Sequence, residues 1–269
     1  NIKRKLKLRT MANQFVLAFA MVVAVATVAS GFVAPARRAQ IVGGFPIDIS
    51  EAPYQISLRE GGHPSCGGSI ISPDWILTAA HCLEGVSADQ VSIRAGSTYK
   101  MHGGVLRNVA RVVLHPAWDP VTNEGDIALM ELESPLPLDG DTMASIEMPE
   151  QDEEDPVEGS KALVSGWGKT LNRFHSALIL RATFLPIVHR DNCQKAYRRT
   201  HTISEMMLCA GFFEGGHDSC QGDSGGPLVV DDVLVGVVSF AIGCARPGLP
   251  GVNARVSAVR DWIREVSNV

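Results

Sequence analysis

The stretch Asp218–Leu228 reads DSCQGDSGGPL, with Ser224 set among Gly222, Asp223, Gly225 and Gly226. It satisfies the loose pattern G-x-S-x-G, which on a strand–turn–helix corner would be the nucleophile elbow of an α/β hydrolase. Chain order rejects that reading. The elbow needs its histidine after the serine, and the last histidine of this chain is His217. A serine nucleophile here must take its base from upstream.

Of the eight histidines, His81 has the most telling setting, Leu77-Thr78-Ala79-Ala80-His81-Cys82. An apolar strand end and an adjacent cysteine would hold the ring at a rigid corner. A third group must orient the imidazole and stabilise its charge. Asp126 opens the run Asp126-Ile127-Ala128-Leu129-Met130, where an acid leads straight into a buried strand. Ser224, His81 and Asp126 are therefore the candidate catalytic residues.

Outward from these residues the chain alternates short apolar runs with glycine, proline and polar clusters. Tyr54–Leu58, Trp75–Ala79, Asp126–Leu132, Pro227–Val230 and Leu234–Phe240 are examples. Many short strands at close spacing predict an all-β sandwich or barrel. Val259, Trp262, Ile263 and Val266 follow Ser257 at helical spacing and predict a C-terminal helix over 257–266 with Ser257 as N-cap. The segment Met148–Ser160 (MPEQDEEDPVEGS) holds six acids and reads as a solvated linker dividing the chain in two. Six cysteines, Cys66, Cys82, Cys193, Cys209, Cys220 and Cys244, predict three disulfides, with fifteen pairings open by counting.

Residues 1–40 hold seven basic residues and no acid. A basic flank, the apolar run Phe15–Ala29 and the small residues Val28-Ala29-Ser30 predict a secretory signal over 1–30, with Gly31 the first residue after cleavage. A signal anchor is the alternative, disfavoured by an apolar run shorter than the roughly twenty residues of a span. Asn1–Thr10 precede Met11 and are set aside as sequence whose native status is open. The 24 basic residues less those seven leave 17 against 29 acids over 41–269, a net charge of −12. A body so acidic excludes a nucleic-acid binder. Aromatic residues make up only 6%, which argues against a base-stacking platform or a membrane belt.

Taken together, the sequence resembles the secreted serine proteases of the chymotrypsin/trypsin family. The resemblance rests on Ile41-Val42-Gly43-Gly44, Thr78-Ala79-Ala80-His81-Cys82, Asp126-Ile127-Ala128-Leu129, Gly166-Trp167-Gly168, Gly222–Pro227 and the closing helix around Trp262-Ile263. These motifs run in the family's order through residues 41–269. The resemblance implies two six-stranded antiparallel β-barrels packed around a cleft, the first over about 41–150 and the second over about 160–256. It implies disulfides Cys66–Cys82, Cys193–Cys209 and Cys220–Cys244. It implies that Ser224 attacks the scissile carbonyl, His81 acts as base and then acid, and Asp126 holds the tautomer. The backbone N–H groups of Gly222 and Ser224 would form the oxyanion hole.

By the same resemblance Asp218, six residues before Ser224, occupies the base of the primary specificity pocket and selects Lys or Arg. The walls are Ser239, Phe240, Ala241 and Gly251. Members of the family commonly carry Trp-Gly where this chain has Phe240-Ala241. Residues 31–40 read as a short propeptide, whose removal frees the Ile41 α-amino group to pair with Asp223. Gln40 stands where the family has Arg or Lys, so tryptic cleavage would fall after Arg37 or Arg38 instead. No cofactor or metal is expected; Gly96–Asn108, where some relatives bind calcium, contains no acid.

The expectation is a secreted, extracellular and monomeric endopeptidase of digestive type. Its partners would be protein and peptide substrates and protein protease inhibitors, without nucleic acid or stable membrane association. The alternative is a non-catalytic homologue acting as a regulatory binding protein. All three triad residue types are present, which favours the enzyme.

Overall fold

The computed structural model describes residues 42–169 and 177–269. Residues 1–30 and 31–40, read from the sequence as a signal region and a propeptide, and Ile41 lie outside the described residues.

Six strands close the first barrel: β2 (Gln55–Glu60), β3 (His63–Ile70), β4 (Trp75–Thr78), β5 (Val91–Ala95), β6 (Val105–Leu114) and β7 (Ala128–Leu132), in the ring order β2-β3-β4-β7-β6-β5. Every pairing in it is antiparallel. Strand β5 shows why the pattern folds this way. Val91, Ile93 and Ala95 are buried in the barrel, while Ser92 and Arg94 point outward.

The second barrel is built from β8 (Lys161–Gly166), β9 (Arg181–Val188), β10 (Met207–Ala210), β11 (Pro227–Val230), β12 (Val233–Phe240) and β13 (Gly251–Arg255). The order β9-β10-β13-β12-β11-β8 closes because β8 also pairs with β9. The short β1 (Phe45–Pro46) adds to the outside of β9, so the start of the described chain is tied to the second barrel. Its hairpin β11–β12 turns on Asp231 and Asp232, both at positive φ, as a two-residue turn of this twist demands. Ala162, Val164, Leu185, Ile187, Leu228 and Val238 are among its core.

Where the barrels meet, polar residues are buried by the neighbouring barrel. Gln55 on β2 is fully buried because its Oε1 accepts 2.6 Å from the Ser165 hydroxyl on β8. The three disulfides pair Cys66 with Cys82, Cys193 with Cys209 and Cys220 with Cys244, as the resemblance implied.

Among the described residues there are two peripheral α-helices, α1 (Arg190–Tyr197) and α2 (Arg260–Ser267). The apolar stripe of the C-terminal segment packs as its spacing predicts, with Val259 and Ile263 buried and Trp262 and Val266 against the same core. Its start differs. Ser257–Val259 is a 3₁₀ turn, and α2 begins at Arg260 without a side-chain cap. Ser257 is buried, and its carbonyl accepts the Asp152 N–H at 2.8 Å, so the residue joins the acidic stretch to the helix. That stretch is more than a solvated linker. Asp155 pairs with Arg190 and Arg255, and Glu150 with Arg264, while Glu154 stays exposed.

Candidate active site

Strand β4 ends at Thr78, and a 3₁₀ turn over Ala80–Cys82 carries His81. The Cys66–Cys82 disulfide ties this turn to β3. Asp126 leads into β7, which pairs with β4, so the two residues face each other across adjacent strands. The buried Asp126 carboxylate accepts the His81 backbone N–H on Oδ1 at 2.9 Å and meets His81 Nδ1 through Oδ2 at 2.8 Å. The Ser239 hydroxyl donates to the same Oδ2 at 2.5 Å. With Nδ1 protonated and held by the carboxylate, the neutral ring presents a basic Nε2.

Ser224 comes from the loop before β11, and several contacts seat that loop against the first barrel. The Gly67 N–H donates to the Ser224 carbonyl at 2.8 Å, and Gly67 adjoins Cys66. At Gly225, φ is +77° and a Cβ would lie 2.2 Å from Thr78 Oγ1, so only glycine permits this approach. The loop is thus packed on the segment that leads into His81. The Ser224 hydroxyl makes no hydrogen bond to His81 Nε2, which instead lies 3.7 Å from Cys82 Sγ.

The Asp223 N–H turns back to the Cys220 carbonyl at 2.9 Å. The flanking N–H groups of Gly222 and Ser224 donate to no acceptor among the described residues. Asp223 itself is fully buried. Its carboxylate accepts from the Gly168 N–H at 2.7 Å and the Cys220 N–H at 3.0 Å. Burial pushes its pKa up to about 6 despite these bonds and the nearby charge of Lys100. A Cβ would lie 2.2 Å from this carboxylate at Gly166 and 2.3 Å at Gly168, which explains the glycines on either side of Trp167.

Asp218 is buried as well. Oδ2 accepts from the Ala245 N–H at 2.7 Å, and Oδ1 has no hydrogen-bond partner. A Cβ on Gly251 would lie 3.1 Å from Oδ1, so glycine keeps that side of the carboxylate open. Burial drives its pKa up to about 7, against the lowering effect of the Ala245 N–H. The main chain of Asp218 receives Val42, whose carbonyl accepts the Asp218 N–H at 3.1 Å. A cavity of about 210 Å³ adjoins these residues, lined by Ser219–Gln221, Ser224, Val238–Ala241, Gly243 and Cys244. Ser239, Phe240 and Ala241 therefore share a cavity wall with Ser224, whereas Asp218 and Gly251 are not part of its lining. Phe240 packs against His201 and Tyr197, with ring centroids 4.9 and 6.0 Å away.

Two features of the site escaped the sequence reading. Ser239 was assigned only to the pocket wall, yet its hydroxyl reaches Asp126. Lys100 carried no sequence signal, yet it is buried with Nζ donating to the Trp167 carbonyl at 3.1 Å. A larger cavity of about 800 Å³ between Tyr54, Lys161, Phe184 and Asp231 has no histidine or cysteine in its lining. Cys66, His81 and Cys82 come within 4.8 Å of one another, but the two sulfurs are joined in a disulfide and offer no thiolate to a metal.

Comparison with known proteins agrees with this geometry. The sequence pattern of the family described as Trypsin matches residues 41–263. Trypsin 5G1 of Aedes aegypti is 47% identical over 232 residues, covering 86% of each chain. The Vitellin-degrading protease of Bombyx mori is 39% identical over 255 residues, 95% of each chain. Hypodermin-B of Hypoderma lineatum is 43% identical over 240 residues, 88% of this chain and 91% of that one. With two six-stranded antiparallel barrels, three disulfides and a pattern match across nearly all of the described chain, this protein belongs to the trypsin family of serine proteases.

Proposed function

We propose that this chain is a trypsin-like endopeptidase, made as a secreted zymogen, that hydrolyses peptide bonds after arginine and lysine. The observation that carries the specificity is Asp218, a buried carboxylate with one oxygen left without a partner. A desolvated carboxylate in that condition is satisfied by a cationic side chain and by little else.

In the mechanism the Ser224 oxygen attacks the carbonyl carbon while His81 Nε2 takes its proton. Asp126, supported by Ser239, holds the ring with Nδ1 protonated and stabilises the imidazolium. The negative oxygen of the tetrahedral intermediate is received by the N–H groups of Gly222 and Ser224. As the C–N bond breaks, His81 returns the proton to the leaving amine. A water then repeats the sequence on the acyl-enzyme and restores Ser224. Ser239, Phe240 and Ala241 wall the substrate pocket, Gly251 leaves Asp218 Oδ1 open, and the freed Ile41 amine pairs with Asp223 to hold the oxyanion loop. Among the described residues no helix is long and apolar enough to cross a membrane. The working form is a monomer acting on protein and peptide substrates and open to protein inhibitors.

Three measurements test this reading. An organophosphate should label Ser224 in the Ile41-terminated protein, and Ser224→Ala should lose at least about 10³-fold in kcat/KM with the fold intact. A peptide-library profile should show cleavage after Arg and Lys that Asp218→Ser abolishes. Equal cleavage after Phe and Arg by the wild-type protein would sink the specificity.

A further inference from the structure

Lys100 belongs to the first barrel's β5–β6 connection, yet its side chain ends in the second barrel. The main chain around it is clamped across the seam. The Lys100 N–H donates to the Leu178 carbonyl at 2.9 Å, and the Leu180 N–H to the Thr98 carbonyl at 2.8 Å. Indole Nε1 of Trp167 also donates to the Thr98 carbonyl, at 3.0 Å. From this anchored position the ammonium reaches the Trp167 carbonyl. The N–H of that same peptide unit, on Gly168, donates to Asp223 Oδ1 at 2.7 Å. One peptide group therefore stands between a buried cation and a buried carboxylate. Among the described residues no carboxylate lies within 4.0 Å of Lys100, so its contact with Asp223 runs through this peptide.

The electrostatic consequence follows from the geometry. A cation at a carbonyl oxygen polarises the peptide and makes its N–H a stronger donor. Asp223 bears directly on the oxyanion donors, because Gly222 and Ser224 are its chain neighbours and its own backbone is pinned to Cys220 and Gly226. Among the described residues, the charges acting on Asp223 are Lys100 and Asp218, of opposite sign. Lys100 feels Asp223 in return, against a burial that lowers its own pKa.

We infer that Lys100 is a positioning residue of the oxyanion loop, acting through the Trp167–Gly168 peptide to hold the Asp223 carboxylate and, with it, the Gly222 and Ser224 N–H groups. The inference rests on the proposed role of Asp223 in the active conformation. It assigns to the first barrel a charged contact that stabilises that conformation alongside the Ile41 amine.

The test uses the Ile41-terminated enzyme carrying Lys100→Met, Lys100→Arg or Asp223→Asn, each verified as folded by its thermal transition. Lys100→Met should lower kcat about tenfold with KM within about twofold, less than the 10²–10³ lost with a direct oxyanion donor. The part of the acidic limb that Asp223 sets, beside the part set by the His81 base, should move to higher pH, because loss of a nearby cation raises the Asp223 pKa. Lys100→Arg, which keeps the charge and a donor, should restore kcat and the limb. If Lys100→Met does not fold, Lys100→Gln keeps a donor to Trp167 without the charge and should show the same kcat loss and limb shift. Unchanged kcat in a folded, uncharged variant overturns the inference, as does Lys100→Arg behaving no better than Lys100→Met. Asp223→Asn separates the two layers. Full activity there would refute the role of Asp223 itself, whereas its inactivity beside an unaffected Lys100→Met would refute only the role of Lys100.

Discussion

Asp218 is ionised in the folded protein only against its surroundings. Its pKa of about 7 lies far above the roughly 3.9 of a free aspartate, and burial is the main cause. The sign is the reverse of the usual carboxylate case. The folded state holds the proton more tightly than the unfolded chain, so the penalty grows as pH rises above about 4 and is complete above about 7. Asp218→Ser should therefore melt a few degrees higher than wild type at pH 8, with the gain vanishing near pH 4. Benzamidine, a cation for the unpaired oxygen, should bind more tightly as pH rises from 5.5 to 8. Below pH 7 it should release a proton that calorimetry in two buffers would register. Binding that ignores pH over this range would mean the amidinium does not meet Asp218. Gly168 allows a second test at this scale. Its missing Cβ leaves room for Asp223 Oδ2, so Gly168→Ala must displace the carboxylate and should lower kcat by about 10²-fold. A Gly168→Ala enzyme with wild-type kcat would show that the carboxylate tolerates displacement.

Among the elements, the acidic segment before β8 departs furthest from its sequence reading. Six acids in a row of polar residues read as a solvated stretch, and most of them are exposed. Asp155 differs because Arg190 and Arg255 converge on it from α1 and β13, and Arg255 also donates to the Glu153 carbonyl at 2.7 Å. Arg255 is nearly buried, so removing Asp155 leaves it two backbone carbonyls but takes away its carboxylate. Asp155→Ala should cost about 1–2 kcal/mol, discounted because Asp155 is partly exposed, or about 2–8 °C in Tm. Glu154→Ala, one residue away and exposed, should leave Tm within about a degree. Equal melting of the two variants would show that the segment is held by its main chain alone. Which of these acids is paired could not be read from the segment itself, since both arginines lie at least 35 residues further along the chain. The apolar stripe of α2 was legible because periodicity is local. The Ser257 cap was misplaced because burial and the Asp152 N–H compete for that residue.

Over the whole molecule, the run of short strands made a sandwich or barrel legible, whereas the two six-stranded barrels and the pairing of the six cysteines were legible only through the family resemblance, because counting leaves fifteen pairings open. The contact from Lys100 to Trp167 was not, because it spans 67 residues and crosses between barrels. Activation is the corresponding prediction at this scale, since it couples the chain's start to the second barrel. Val42 is already bonded to Asp218 there, through an isolated antiparallel bridge. A terminus two residues longer must bring extra main chain into a site built around buried Asp223. Trypsin cuts after Arg or Lys, so the wild-type precursor should be processed at Arg37 or Arg38 and gain little activity. Gln40→Arg should be cut before Ile41 and become active quickly. The α-amine so freed has an ordinary pKa of about 7.7–8.0, which pairing with Asp223 raises. Its stabilisation is complete below the ordinary value and is lost as pH rises through the raised one, so activity should fall on the alkaline side. N-terminal sequencing beside activity, before and after trypsin treatment, checks each step. Full activity in a wild-type protein that begins at Ala39 would refute the insertion argument, because no Ile41 amine would then exist to meet Asp223.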